Sequence, residues 1–184
     1  MSSISRESNF FEVCESCELP CCKGARPPLS RVRITIIQKY LRAEGFSLKT
    51  PFNRSGYSFP REISGGYCIF FDLKTKRCTI HPSKPETCVA GPVTFDLDVK
   101  KGIIEWYLKS EKICRLAGSL YQNKPKLSKH LESAKREIRA LINSLSGKEL
   151  LAILRIDEPD TFKIGEELLE DCVLRKFRSV TQVL

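Results

Sequence analysis

Long apolar runs are missing from this 184-residue chain, and histidine nearly so, with two residues. The longest wholly apolar stretch is a few residues, against roughly 20 needed to span a bilayer, so no membrane-crossing helix is expected. Met1 to Val13 mixes Ser, Arg, Glu and Asn without the apolar core of a secretory leader, and the expectation is a soluble, cytoplasmic protein. With two histidines, a cysteine nucleophile would have few candidate bases. The chain has no GxGxxG, Walker loop, GxSxG or HExxH, and Gly65-Gly66 alone is too little for a glycine-rich cofactor loop. No reaction follows from these absences, and an enzyme acting on a protein side chain is the weakest functional class. There is no internal repeat and no low-complexity tract.

Cysteine is abundant instead, with nine residues. One run is Cys14, Cys17, Cys21 and Cys22; a second is Cys68, Cys78 and Cys88, with Cys114 behind it. Reducing compartments keep thiols free, so a cysteine-rich chain of this kind is expected to bind metal rather than form a disulfide framework. Thiolates are the ligand form, and a neighbouring cation lowers the thiol pKa enough to provide them near neutrality. Cys14-x2-Cys17 has the spacing of a metal knuckle, two sulfurs from one tight turn reaching one ion. Cys21-Cys22 reads differently. Adjacent side chains in extended backbone diverge, so one is expected to serve the local site and the other a second site or a packed wall. Eight sulfurs divide most simply into two groups of four. Cys172 falls on a helical apolar stripe and is expected in the core.

The formal net charge is +9, from 31 Lys and Arg against 22 Asp and Glu. A basic excess suggests an anionic partner such as nucleic acid. Yet each four-thiolate site holding a divalent centre contributes about −2, which makes the excess ordinary. Lys126, Lys129, Lys135, Arg136 and Arg139 alternate with Glu132 and Glu137, the pattern of a solvated amphipathic helix. An unidentified protein partner is therefore favoured over nucleic acid. His130 is expected on the exposed face of that helix, and His81 as a hydrogen-bond donor beside the cysteines rather than a ligand.

The expected fold is α+β: a small cysteine-rich β-hairpin core with a metal site, over residues 10–116, followed by a helical C-terminal region, over 117–184. Ser30 is the N-cap of a helix reaching about Ala43, with Ile34, Ile37 and Leu41 on one face and Gly45 as its stop. Residues 50–66 read as loop. Tyr67–Asp72 and Arg77–Ile80 read as strands around Lys74-Thr75-Lys76, which would place Cys68 and Cys78 on partner strands. Phe95, Leu97 and Val99 alternate, and Ile104, Trp106 and Leu108 answer them across a turn at Lys100-Lys101-Gly102, predicting a hairpin with one buried side. From Ser128 the period is helical. Ser146-x2-Glu149 is a capping box for a helix over Lys148–Ile156. Thr161–Arg178 reads as a further helix with Ile164, Leu168, Leu169 and Cys172 on its apolar side.

The ordered combination Cys14-x2-Cys17-x3-Cys21-Cys22, Gly66-Tyr67-Cys68-Ile69-Phe70 and Cys78-x-Ile80-x3-Lys84-Pro85-x2-Cys88, followed by Cys114, resembles the YkgJ-like cysteine-cluster proteins, a zinc- or iron-chelating family. The resemblance covers roughly residues 14–114. It departs from the usual pattern at His81, Lys84 and Arg115, where relatives more often carry Tyr, Arg and Pro. It implies a metal site built from Cys14, Cys17, Cys21, Cys22, Cys68, Cys78, Cys88 and Cys114, and no particular activity. Four thiolates suit tetrahedral zinc and a 4Fe–4S cluster about equally. Eight cysteines in one compact region favour an iron–sulfur cluster or iron, in a redox or sensing role, with zinc as the alternative.

Overall fold

The computed structural model describes residues 21–156 and 160–181. The first helix described, α1 (Arg31–Ala43), begins where the sequence places it: Ser30 is extended and its hydroxyl accepts from Arg33 N–H at 3.0 Å. It ends in a Schellman motif, with Gly45 N–H on Arg42 C=O, Phe46 N–H on Leu41 C=O and Gly45 at φ +71°. That left-handed residue is what glycine supplies there.

The stretch expected as loop forms a hairpin. β1 (Phe52–Ser55) pairs antiparallel with β2 (Tyr57–Pro60) around Gly56. Tyr57 and Phe59 are buried while β1 is largely exposed. Gly56 sits at φ +75°, and a Cβ there would lie 2.8 Å from Ala152 Cβ, so the turn closes against a later helix only without a side chain.

Two two-residue pairings replace the two long strands expected next. β3 (Glu62–Ile63) pairs with β4 (Tyr67–Cys68), and β5 (Phe71–Asp72) with β6 (Arg77–Cys78). Cys68 therefore faces Glu62, while Phe71 faces Cys78, and the two cysteines do not share a ladder. A 3-10 turn over His81–Ser83 and the short helix α2 (Glu86–Ala90) follow.

The 94–108 hairpin forms as predicted, from β7 (Val93–Asp98) and β8 (Ile103–Lys109), with Phe95 opposite Trp106 and Leu97 opposite Ile104. A third strand, β9 (Thr161–Leu168), adds antiparallel to β8. This corrects the helix expected from Thr161: only Asp171–Thr181 is helical there. The Glu-rich strand is drawn into β geometry by the open edge of β8, where context outweighs local propensity.

Helices α3 (Arg115–Tyr121), α4 (Lys124–Ser144), α5 (Gly147–Ile153) and α6 (Asp171–Thr181) complete the described chain. α4 begins one turn earlier than the apolar period suggested, because Asn123 accepts from Lys126 N–H and caps it. The capping box at Ser146 and Glu149 is present. Ala134, Ile138, Leu141 and Ile142 of α4 join Ile104, Trp106 and Leu108 of β8 in the larger core, with Val173 and Phe177 of α6. A smaller core gathers Leu29, Ile37, Leu41, Phe70 and Ile80, with Cys68 and Cys78 packed against it. α2 lies at the seam: Ala90 belongs to the larger core, while Glu86 reaches α1.

Two substitutions check this placement. Leu141→Ala, at zero exposure, should lower stability by roughly 2–5 kcal/mol, and Ser146→Ala by about 1 kcal/mol. Both are read as shifts in the urea midpoint at unchanged slope; equal losses would contradict the packing described.

Candidate metal centre

Cys22, the last of the first run, reaches the second run through backbone pairing. Lys23 forms an antiparallel bridge with Tyr67, Cys68 N–H donates to Cys22 C=O at 2.8 Å, and Gly24 N–H to Gly66 C=O at 2.7 Å. Cys22 thus stands directly across from Cys68, and residues 22–24 act as a further strand beside β4. Downstream, Leu29 N–H donates to Ser58 C=O, Tyr57 Oη to Arg26 C=O, and Arg26 pairs with Glu62 through two 3.2 Å contacts. The whole segment is fastened to the β1–β4 layer.

Cys78 comes from β6, held by Thr79 N–H on Phe70 C=O at 2.8 Å. Cys88 comes from α2, after the turn in which Ser83 N–H donates to Ile80 C=O and Pro85 precedes the helix. Strand and turn thereby return Cys78 and Cys88 to the Cys22–Cys68 neighbourhood.

These five thiols lie within electrostatic reach of one another. Cys21 is lowered to about 6, first because the Cys22 thiol donates a hydrogen bond to it, then through the positive charges of Lys109 and Lys84, against burial. The residue as a whole is exposed, yet protein atoms crowd its sulfur. Cys22 is pushed up by that same hydrogen bond, by burial and by the charges of Cys21, Cys78 and Cys88. Burial pushes Cys68 up to about 11, with Cys78 and Cys21 adding to it, and raises Cys78 and Cys88 as well. The sulfurs of Cys21 and Cys22 therefore meet, rather than diverging as extended backbone would dictate, because both residues lie in a turn. No disulfide links the described cysteines.

Buried thiols that resist ionising, and whose charges raise one another, are what a multivalent cation relieves. Thiols are the donor type that a thiophilic metal takes. Cys14 and Cys17, the expected knuckle, lie outside the described residues, and among those described no group of three or more His, Cys, Asp or Glu side chains is placed to hold a metal ion. Cys114 packs against the larger core at the start of α3, its N–H on Ser110 C=O. The strand leading to it ends at Lys109, whose charge reaches Cys21.

Neighbouring residues fall into place around this set. His81 is half-buried, 3.4 Å from Lys84 Nζ, and burial with that lysine lowers it to about 4, so its ring is neutral near pH 7. Glu86, which the sequence did not single out, is 3 % exposed. Its Oε1 accepts from Ser30 Oγ, and Arg33 lies between it and Glu137 of α4. Burial raises its pKa, opposed by Ser30 and Arg33. Nothing in the spacing marks a glutamate as buried two residues ahead of a cysteine.

Three expectations change. Cys172 is exposed, near Glu170 and Asn143, because α6 starts at Asp171 and its buried stripe is Val173 and Phe177. His130 is half-buried, its Nε2 against Ala90 and Gly91 C=O at the end of α2. Lys135 and Arg139 both pair with Glu167 of β9, and Lys135 also lies over the Trp106 ring. That stretch of α4 packs on the sheet. Among the described residues no helix is long and apolar enough to cross a membrane.

Short strands, a small second core and thiols converging from residues 21–88 define an α+β cysteine-cluster protein. The chain belongs to the CxxCxxCC family, "Putative zinc- or iron-chelating domain", which it matches over residues 13–143. That span takes in all eight motif cysteines and nearly all of α4. No solved structure matches the chain.

Cys78→Ser and Cys88→Ser are each expected to reduce bound metal by elemental analysis, and Cys172→Ser to leave it unchanged; equal metal in all three would refute the assignment. Raised thiols at Cys68, Cys78 and Cys88 must lose protons to bind metal. Affinity should therefore rise between pH 6 and pH 8, with protons released on binding. A pH-independent affinity measured by chelator competition would contradict this.

Proposed function

We propose that this chain holds an iron–sulfur cluster or iron in its cysteine cluster, for electron transfer or sensing. The observation that supports the reading is that Cys22 pairs across from Cys68 and that the thiols of Cys21, Cys22, Cys68, Cys78 and Cys88 shift one another's ionisation. With Cys14, Cys17 and Cys114 the candidate set is eight sulfurs, twice what one tetrahedral zinc uses. Cys14, Cys17, Cys21, Cys22, Cys68, Cys78, Cys88 and Cys114 are the residues that would hold it. The group would supply one-electron chemistry at a potential set by its charge and surroundings. Lys84 and Lys109 would offset thiolate charge beside Cys21.

A second reading rests on a different observation. Among the described residues the smaller core holds five buried apolar residues, few for a lobe to fold on by themselves. A structural zinc would compensate, as it does in small modules that need metal to fold. In that reading the protein is a zinc-stabilised module that meets a protein partner, or nucleic acid through its basic surface.

Purification without oxygen separates the two. The favoured reading expects a brown protein with visible absorption, iron and acid-labile sulfide, bleached by air. A colourless protein with zinc and no iron would overturn it. Binding to nucleic acid that weakens steeply with salt would then support the module.

A further inference from the structure

We infer that Glu86 is a positioning residue for the cysteine centre: through Ser30 and Arg33 it ties the turn carrying Cys88 to α1. The inference rests on the metal-binding reading of the cluster. Glu86 opens α2, a helix of five residues, too short to hold its own geometry. Something outside it must fix Cys88, two residues further on.

The contacts around Glu86 do this. Ser30 Oγ donates to Glu86 Oε1 at 2.5 Å while accepting from Arg33 N–H at 3.0 Å, so one hydroxyl both caps α1 and fixes the carboxylate. Arg33 Nε lies 3.8 Å from the same oxygen, and its guanidinium is ion-paired with Glu137. Arg33 and Glu86 are both largely shielded from solvent. Glu86 Oε2 is buried and has no hydrogen-bond partner among the described residues. A buried carboxylate with one oxygen bonded and one bare is costly; a residue that only filled space here would be apolar. What the carboxylate does in return is orient the Cys88 turn, much as groups behind metal ligands orient them elsewhere. Glu137 shares the same arginine but sits on a long helix that carries no cysteine, which makes it the internal control.

Cobalt(II) titration of the metal-free full chain is the test, because thiolate-to-cobalt bands report both affinity and ligand geometry. Glu86→Gln keeps the shape and removes the charge. It is expected to weaken cobalt binding by about 10- to 100-fold and shift the bands, while Glu137→Gln stays near wild type in both. Ser30→Ala, which leaves Glu86 in place, should weaken binding in the same direction, and its effect should not add to that of Glu86→Gln. Wild-type affinity and spectrum in Glu86→Gln would overturn the inference, as would equal loss in Glu137→Gln. Should Glu86→Gln not fold, the Ser30→Ala result decides by the same criterion. A wild-type chain that takes up no cobalt, zinc or iron would overturn the metal reading itself, and this inference with it.

Discussion

Two backbone hydrogen bonds, Cys68 N–H to Cys22 C=O and Gly24 N–H to Gly66 C=O, hold residues 22–24 beside β4. Each contributes only about 1 kcal/mol net, yet they fix a register in which Cys22 faces Cys68. Without that register, sulfurs more than forty positions apart in sequence would have no common locus. The glycines make it geometrically open: Gly24 and Gly66 both take φ near +70°, which side-chain-bearing residues rarely adopt. Arg26–Glu62 and the Leu29–Ser58 contact then carry the fastening forward into α1.

The arrangement divides labour between two cores. The larger one is conventional in its physics, a three-stranded sheet with Trp106 fully buried under α4. Lys176 adds a polar lock, its ammonium donating to the carbonyls of Ile142, Asn143 and Leu145 at the end of α4. The smaller core has few apolar groups and carries two of the thiols on its rim. Metal binding and folding are therefore expected to be linked there, since few buried apolar groups among the described residues close it. α2 couples the two, its end gripped by His130 and its start by Ser30.

Local rules were legible in the sequence where they are strongest. The Ser30 cap, the Gly45 stop, the Ser146 capping box and the Phe95/Trp106 hairpin each depend on residues close together in the chain, and each is found. Spacing also divides the cysteines into two runs. What spacing could not supply was which sulfurs meet: a turn brings Cys21 and Cys22 together where alternation separates them. β1 escaped notice because Phe52–Ser55 is mostly exposed and does not alternate, and β9 because its glutamates favour helix until an open sheet edge is available. Misreading β9 also put Cys172 on the wrong face. The Ser30–Glu86–Arg33–Glu137 cluster joins residues up to 107 positions apart, and no local pattern announces it.

The central claim is that separate cysteine stretches share one metal-binding locus, and its most direct test is differential thiol labelling of the native protein read by mass spectrometry. In metal-loaded protein Cys21, Cys22, Cys68, Cys78 and Cys88 should be protected together and become reactive together when a chelator removes the metal, while Cys172 labels equally in both states. Labelling of the five that is indifferent to the metal, or that changes at only one of them, would contradict the account.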